Sequence, residues 1–111
     1  MPKSMIINLI ATDCPAEIEA KFNKWYNEVH VPLLFKYQGM KKVTRYQLAG
    51  ESEGQAKYLA VYEYETKEAL DALSKSPEFA TAMEEMQGTW QGGGFDIKWM
   101  ATYEPIKTWE R

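Results

Sequence analysis

Lys57-Tyr58-Leu59-Ala60-Val61-Tyr62-Glu63-Tyr64 is the stretch on which the fold turns. β-Branched, aromatic and aliphatic residues follow one another here, behind a polar, glycine- and glutamate-rich segment at 49–56, and the run reads as a strand after a hairpin loop. Side chains alternate across a strand, so Leu59 and Val61 oppose Tyr58, Ala60, Tyr62 and Tyr64. Both sets are apolar or aromatic. An open sheet with helices on one face and water on the other would be polar on the second face. This strand asks for cover on both sides.

Working outward, residues 41–48 read as the strand before it. Residues 5–12 read as a first strand, with Asn8 as its one polar interruption; Met5, Ile7 and Leu9 share one face, Ile6 and Ile10 the other. Asp13-Cys14-Pro15 opens a helix, with Asp13 or Cys14 as the cap and Pro15 in the first turn. Ile18, Phe22, Trp25, Tyr26 and Val29 then follow helical spacing, with Glu17, Lys21, Lys24 and Glu28 on the opposite face. Val31 precedes Pro32, which disfavours helical geometry, so this helix is expected to stop near His30. Thr66 caps a second helix carrying Ala69, Leu70 and Leu73. Ser76-Pro77-Glu78 restarts it with Phe79, Ala82, Met83 and Met86 on one stripe. Gly92-Gly93-Gly94 breaks the chain. Residues 95–103 alternate Phe95, Ile97, Trp99, Ala101 and Tyr103 against Asp96, Lys98, Met100 and Thr102 as a fourth strand, and residues 105–111 form an arm.

The order is β-α-β-β-α-β over a single domain, 1–111. It predicts an α+β, ferredoxin-like fold, a four-stranded antiparallel sheet with helices on one face. Nothing is left in the chain to cover the second face, so a second copy is the expected cover, giving a homodimer with sheets packed face to face.

Composition narrows the function classes. The 111 residues are 45% hydrophobic and 14% aromatic, with a net charge of −3 and scattered Lys and Arg, so no nucleic-acid surface is expected. Cys14 is alone, which excludes an internal disulfide and points to a reducing cytoplasm. No segment reads as a signal peptide or membrane span, so no membrane partner is expected. With one histidine and no carboxylates at ligand spacing around it, no metal and no other cofactor is expected.

That histidine, His30, lies in Trp25-Tyr26-Asn27-Glu28-Val29-His30-Val31-Pro32-Leu33-Leu34. Its unperturbed pKa lies nearest neutrality of any side chain, so it is the first candidate for proton transfer. The alternative is a ring that only satisfies the last helix carbonyls. A helix C-terminus would favour its charged form and burial its neutral form. Tyr26, one turn earlier, and Tyr37, in the next segment, could orient a substrate oxygen or assist proton transfer, or simply pack with a wet hydroxyl. Tyr37 joins His30 as the expected catalytic pair. Asn8 needs partners if buried, within the core or from a ligand. Arg45 could clamp a carboxylate or make an interface ion pair. Tyr62, Met83 and Trp90 complete the expected substrate-contact set, the last two as soft or aromatic pocket walls. Glu84-Glu85 reads as solvated surface. Cys14 reads as a buried cap residue rather than a nucleophile.

The element order together with Trp-Tyr-x-x-Val-His-x-Pro-Leu at the end of the first helix resembles the EthD-like group of the dimeric α/β barrel superfamily. It is also similar to methylmuconolactone methylisomerases. The resemblance implies a dimer, a pocket between helices and sheet in each subunit, no obligatory metal, and His30 as the match to the group's His-x-Pro histidine. Since one fold hosts many chemistries, it does not select an activity. Two function classes follow. One is a cofactor-independent isomerase, lyase or cyclase moving a proton on a small lactone, cyclic ketone or phenolic acid. The other is a non-catalytic dimeric module that binds a small hydrophobic ligand or supports a degradation pathway. Haem degradation is a weaker third: Asn8 suits it, but the later helix carries no histidine.

Overall fold

The alternation of buried residues along Tyr58–Tyr64 sets the sheet. In the computed structural model, which describes residues 5–111, strands β1 (Ile6–Asp13), β2 (Met40–Gln47), β3 (Tyr58–Tyr64) and β4 (Asp96–Tyr103) form one antiparallel sheet in the order β2-β3-β1-β4. Tyr58, Ala60, Tyr62 and Tyr64 are buried against the helices. The register places Asn8 opposite Tyr62 and Ile10 opposite Ala60 on that same face, with Val43 and Arg45 beside them on β2. The βαββαβ order and ferredoxin-like architecture expected from sequence are those observed.

Two bulges adjust the strands. An extra residue, Lys41, sits between Met40 and Lys42 in the β2–β3 pairing, and Lys98 is extra between Ile97 and Trp99 opposite Thr12 and Ala11. A bulge inserts one residue and switches faces beyond it. The expected single stripe Phe95, Ile97, Trp99, Ala101, Tyr103 is therefore broken. Trp99, Ala101 and Tyr103 pair with Ala11, Leu9 and Ile7 on the outer face, while Ile97 pairs with Thr12 on the helix side.

The first helical region differs most from expectation. A 3-10 turn (Ala16–Ile18) leads into α1 (Glu19–Trp25), a π-helical segment (Tyr26–His30) and α2 (Val31–Leu34), so the helix runs through Pro32 instead of ending at His30. The Val31 N–H reaches back five residues to the Tyr26 carbonyl. A proline lacks a donor and clashes with the carbonyl four residues before it; widening the preceding turn accommodates both defects. The cap expectation is corrected too. Pro15 occupies the N-cap position of the 3-10 turn, and Asp13 Oδ1 instead accepts from the Lys57 N–H at 2.7 Å.

The second helical layer is capped as expected. Thr66 accepts from the Ala69 N–H ahead of α3 (Lys67–Ala72), and Ser76 from the Phe79 N–H ahead of α4 (Pro77–Thr89), each at 3.1 Å. A 3-10 turn (Leu73–Lys75) joins them. The core lies between these helices and the sheet, centred on Phe22, Trp25, Tyr26, Tyr62, Tyr64 and Ala82. Among the described residues nothing gives the outer face such cover: Tyr46, Trp99 and Tyr103 are 54%, 40% and 55% exposed.

Candidate functional site

The π segment delivers His30 to the seam between helices and sheet. The ring is 6% exposed, stacked on Trp25 (centroids 4.6 Å apart, 23° between planes) and edge-on to Tyr26 at 5.1 Å. Its Nδ1 is buried and makes no hydrogen bond, so that nitrogen does not cap a helix carbonyl. Such an atom ordinarily has a partner, and its orphaning needs an explanation. Burial pulls the His30 pKa down to about 4; the Glu85 carboxylate opposes this and Arg45 adds to it. The imidazole is neutral at pH 7, and burial prevails over the expected pull of a helix end because the helix does not end there.

His30 lines a cavity of about 260 Å³ between the sheet and α2, α3 and α4. Asn8, Tyr62 and Met83, three of the residues expected to contact substrate, line it as well. Asn8 Nδ2 donates to the Ala101 carbonyl at 3.3 Å and to Thr102 Oγ1 at 3.2 Å, which pins the amide to β4. Tyr62 OH and Tyr26 OH are 2.8 Å apart, so Tyr26 stands behind Tyr62 and acts on the cavity through it. Burial holds both phenols above their ordinary pKa, that of Tyr62 well above, and raises Tyr64, another wall residue, to about 12. All three keep their protons at neutral pH. Leu70, Leu73, Phe79 and Met100 supply apolar wall, and Ser74 an exposed hydroxyl.

Three expected site residues lie elsewhere. The Tyr37 hydroxyl donates to the Ala69 carbonyl at 2.6 Å, tying the segment after α2 to α3, and does not line the cavity. Arg45 donates to Asn27 Oδ1 at 2.8 Å and Asn23 Oδ1 at 3.0 Å, with its guanidinium 4.3 Å from the Tyr26 ring centroid. It faces a polar groove on the far side of the Tyr26–Tyr62 pair. Trp90 packs with Phe22, Trp25 and Phe95, under the Lys21 ammonium. The glycine run serves that packing: a Cβ on Gly94 would collide with the Trp90 indole.

Sequence reasoning missed Glu85. Read as surface, it accepts from Trp25 Nε1 at 2.8 Å and from Thr89 Oγ1, and so fixes the indole on which His30 stacks. Ser74, Tyr64 and Met100 were missed as wall residues, since they come from three elements with no shared sequence signal. Cys14 is raised above the ordinary thiol pKa by burial, then by Glu19, which keeps it protonated and poorly nucleophilic. A separate groove of about 310 Å³ on the outer face, bounded by Ala11, Tyr46, Leu59 and Trp99 among others, contains no histidine. Among the described residues no group of three His, Cys, Asp or Glu side chains could hold a metal ion, and no helix is long and apolar enough to cross a membrane.

Comparison with solved structures places this geometry in a known architecture. An ethyl tert-butyl ether D (EthD) family protein from Bacillus halodurans is similar with a TM-score of 0.68 at 18% identity, over 92% of this chain and 100% of that one. HapK from Hahella chejuensis gives 0.72 at 11% identity, over 96% and 98%. A dimeric protein of unknown function with a ferredoxin-like fold, from Bacteroides fragilis, gives 0.64 at 13%, over 90% and 95%. At these identities the likeness is one of fold. No curated protein matches the sequence. The model of a domain of unknown function, DUF4286, matches residues 5–101, and the chain belongs to that family.

Proposed function

We propose that the protein is a small, cofactor-independent enzyme of isomerase, lyase or cyclase type, acting by proton transfer in the cavity beside His30. The observation that carries this reading is a buried, neutral imidazole with one unpartnered nitrogen, on a residue that lines a cavity of small-molecule size. In this reading a neutral His30 ring nitrogen takes a proton from a carbon next to a substrate carbonyl, giving an imidazolium beside an enolate. The same nitrogen returns the proton to a different carbon, or the enolate expels a leaving group that takes the proton, or its carbon adds to a second carbonyl of the substrate whose oxygen takes the proton; each route restores the neutral imidazole. When Tyr26 donates to Tyr62, the Tyr62 proton is free to hydrogen-bond the enolate oxygen. A pKa of about 4 makes His30 a weak base on its own; the developing enolate raises it by pairing with the imidazolium beside the apolar cavity wall.

A substrate-independent assay tests this. Small cyclic ketones and lactones are incubated with the protein in D2O, and deuterium uptake at carbon is followed by NMR. The wild type is expected to catalyse uptake and His30→Ala to lose at least about 100-fold, the scale of a general base. Equal uptake by both refutes the role. The depressed pKa also favours a second reading, a binding module without chemistry, which predicts ligand-induced thermal stabilisation with no deuterium uptake by either protein.

The unit in which this happens is, in the same proposal, a homodimer closed across the outer sheet face. Ile7, Leu9, Leu59, Val61, Trp99 and Tyr103 form a contiguous apolar surface there, and such surfaces mark interaction sites. Light scattering behind size exclusion should give twice the chain mass at micromolar concentration; a monomer refutes it.

A further inference from the structure

The walls of the His30 cavity bear on the charge of what enters it. Its polar members are Asn8, His30, Tyr62, Tyr64 and Ser74; among the described residues no Asp, Glu, Lys or Arg lines it. The neighbouring charges are engaged elsewhere. Arg45 is held by the oxygens of Asn23 and Asn27 behind the Tyr26–Tyr62 pair, and Glu85 by Trp25 and Thr89. Burying an unpaired ion is far more costly than burying a hydrogen-bonded neutral group.

Resting on the reading of this cavity as the functional site, we propose that it selects uncharged monocyclic molecules carrying a hydroxyl or carbonyl oxygen, and rejects carboxylic acids. Asn8 spends its amide hydrogens on Ala101 and Thr102, which leaves Oδ1 to accept, and the Tyr62 hydroxyl and the His30 ring add two more hydrogen-bonding groups. Three oriented polar groups against apolar wall suit one ring with one or two oxygens. Met40, Met83 and Met100 give that wall adaptable thioethers, so selection falls on charge more than on ring shape. Phenolic acids, admitted by the sequence reading, drop out of the substrate class. The rings of Tyr62, Tyr64 and Phe79 would attract a cation by their faces, but no carboxylate lines the cavity to complete such a site.

Three probes sharing a phenol ring test this on the full-length wild-type protein at pH 7: methyl 4-hydroxybenzoate, 4-hydroxybenzoate and tyramine. Calorimetry gives affinities, and the imidazole of the only histidine gives one NMR reporter of the cavity. The neutral ester is expected to bind and to shift the His30 signal, with the acid and the amine at least about 100-fold weaker. Acid or amine binding within tenfold of the ester, and shifting the His30 signal, overturns the charge selection while leaving the cavity as a ligand site. An ester that does not bind, or binds without moving that signal, overturns the site itself.

Discussion

At pH 7 the His30 ring carries no charge, because its burial against Trp25 and Tyr26 outweighs the nearby Glu85. This has a consequence for stability. The unfolded ring titrates near 6.5 and the folded one near 4, so between those values the unfolded state holds the extra proton. Stability is intact above pH 6.5 and falls as pH drops toward 4, by up to roughly 3 kcal/mol. Carboxylates add their own slopes, so the check is a difference: denaturant unfolding of wild type and His30→Gln from pH 7 to 4, with the variant lacking this component. Tyr26→Phe should cost about 1–2 kcal/mol in the same measurement, since it strips the buried Tyr62 hydroxyl of its partner. That His30, Asn8, Tyr62 and Met83 line one cavity was legible in part, because a lone histidine, a polar interruption and a strand face are signals in one dimension. Tyr37, Arg45 and Trp90 share those residue types yet lie off the cavity. A hydroxyl or guanidinium takes whichever partner the fold brings, and Ala69, Asn23 and Asn27 are 18 to 32 residues away. Glu85 was illegible for the same reason: its partner Trp25 is 60 residues distant.

Among the elements, the helix around Pro32 shows where sequence pattern falls short. Pro32 signals a stop, and the chain instead widens one turn, from Tyr26 to His30, and continues to Leu34. A π segment costs hydrogen-bond geometry and is retained mostly where it aims a side chain usefully; here the aimed side chain is His30. Sequence signals local preferences, whereas ending or widening a helix also depends on tertiary packing, and beyond the widened turn Leu34 is buried in the core. The caps, by contrast, are wholly local. Ser76→Ala should remove the Phe79 partner and cost about 1 kcal/mol, seen as a lower thermal midpoint. Gly94→Ala should cost about 1–3 kcal/mol, because the added carbon must displace the Trp90 indole from a packed aromatic cluster.

For the whole molecule, element order, the helix layer on one face and the apolar character of both strand faces were legible, since period-two alternation and element order survive without knowledge of contacts. The bulges at Lys41 and Lys98 were not, and the one at Lys98 decides which face Ile97 takes. If the outer face is the dimer surface, a charge at its centre should split the dimer without entering the cavity. Val61→Glu should elute as a monomer and retain the His30 signal, because Val61 faces away from Tyr62 on the same strand. Whether a small molecule binds in the cavity beside His30 is read from the ring nitrogens of that single histidine. With histidine labelled by nitrogen-15, a neutral cavity-forming His30 requires both ring nitrogens to report an uncharged imidazole from pH 7 down to about 5, and to shift saturably as methyl 4-hydroxybenzoate is added. A ring that protonates near pH 6.5, or that stays unmoved while the ester binds, contradicts it.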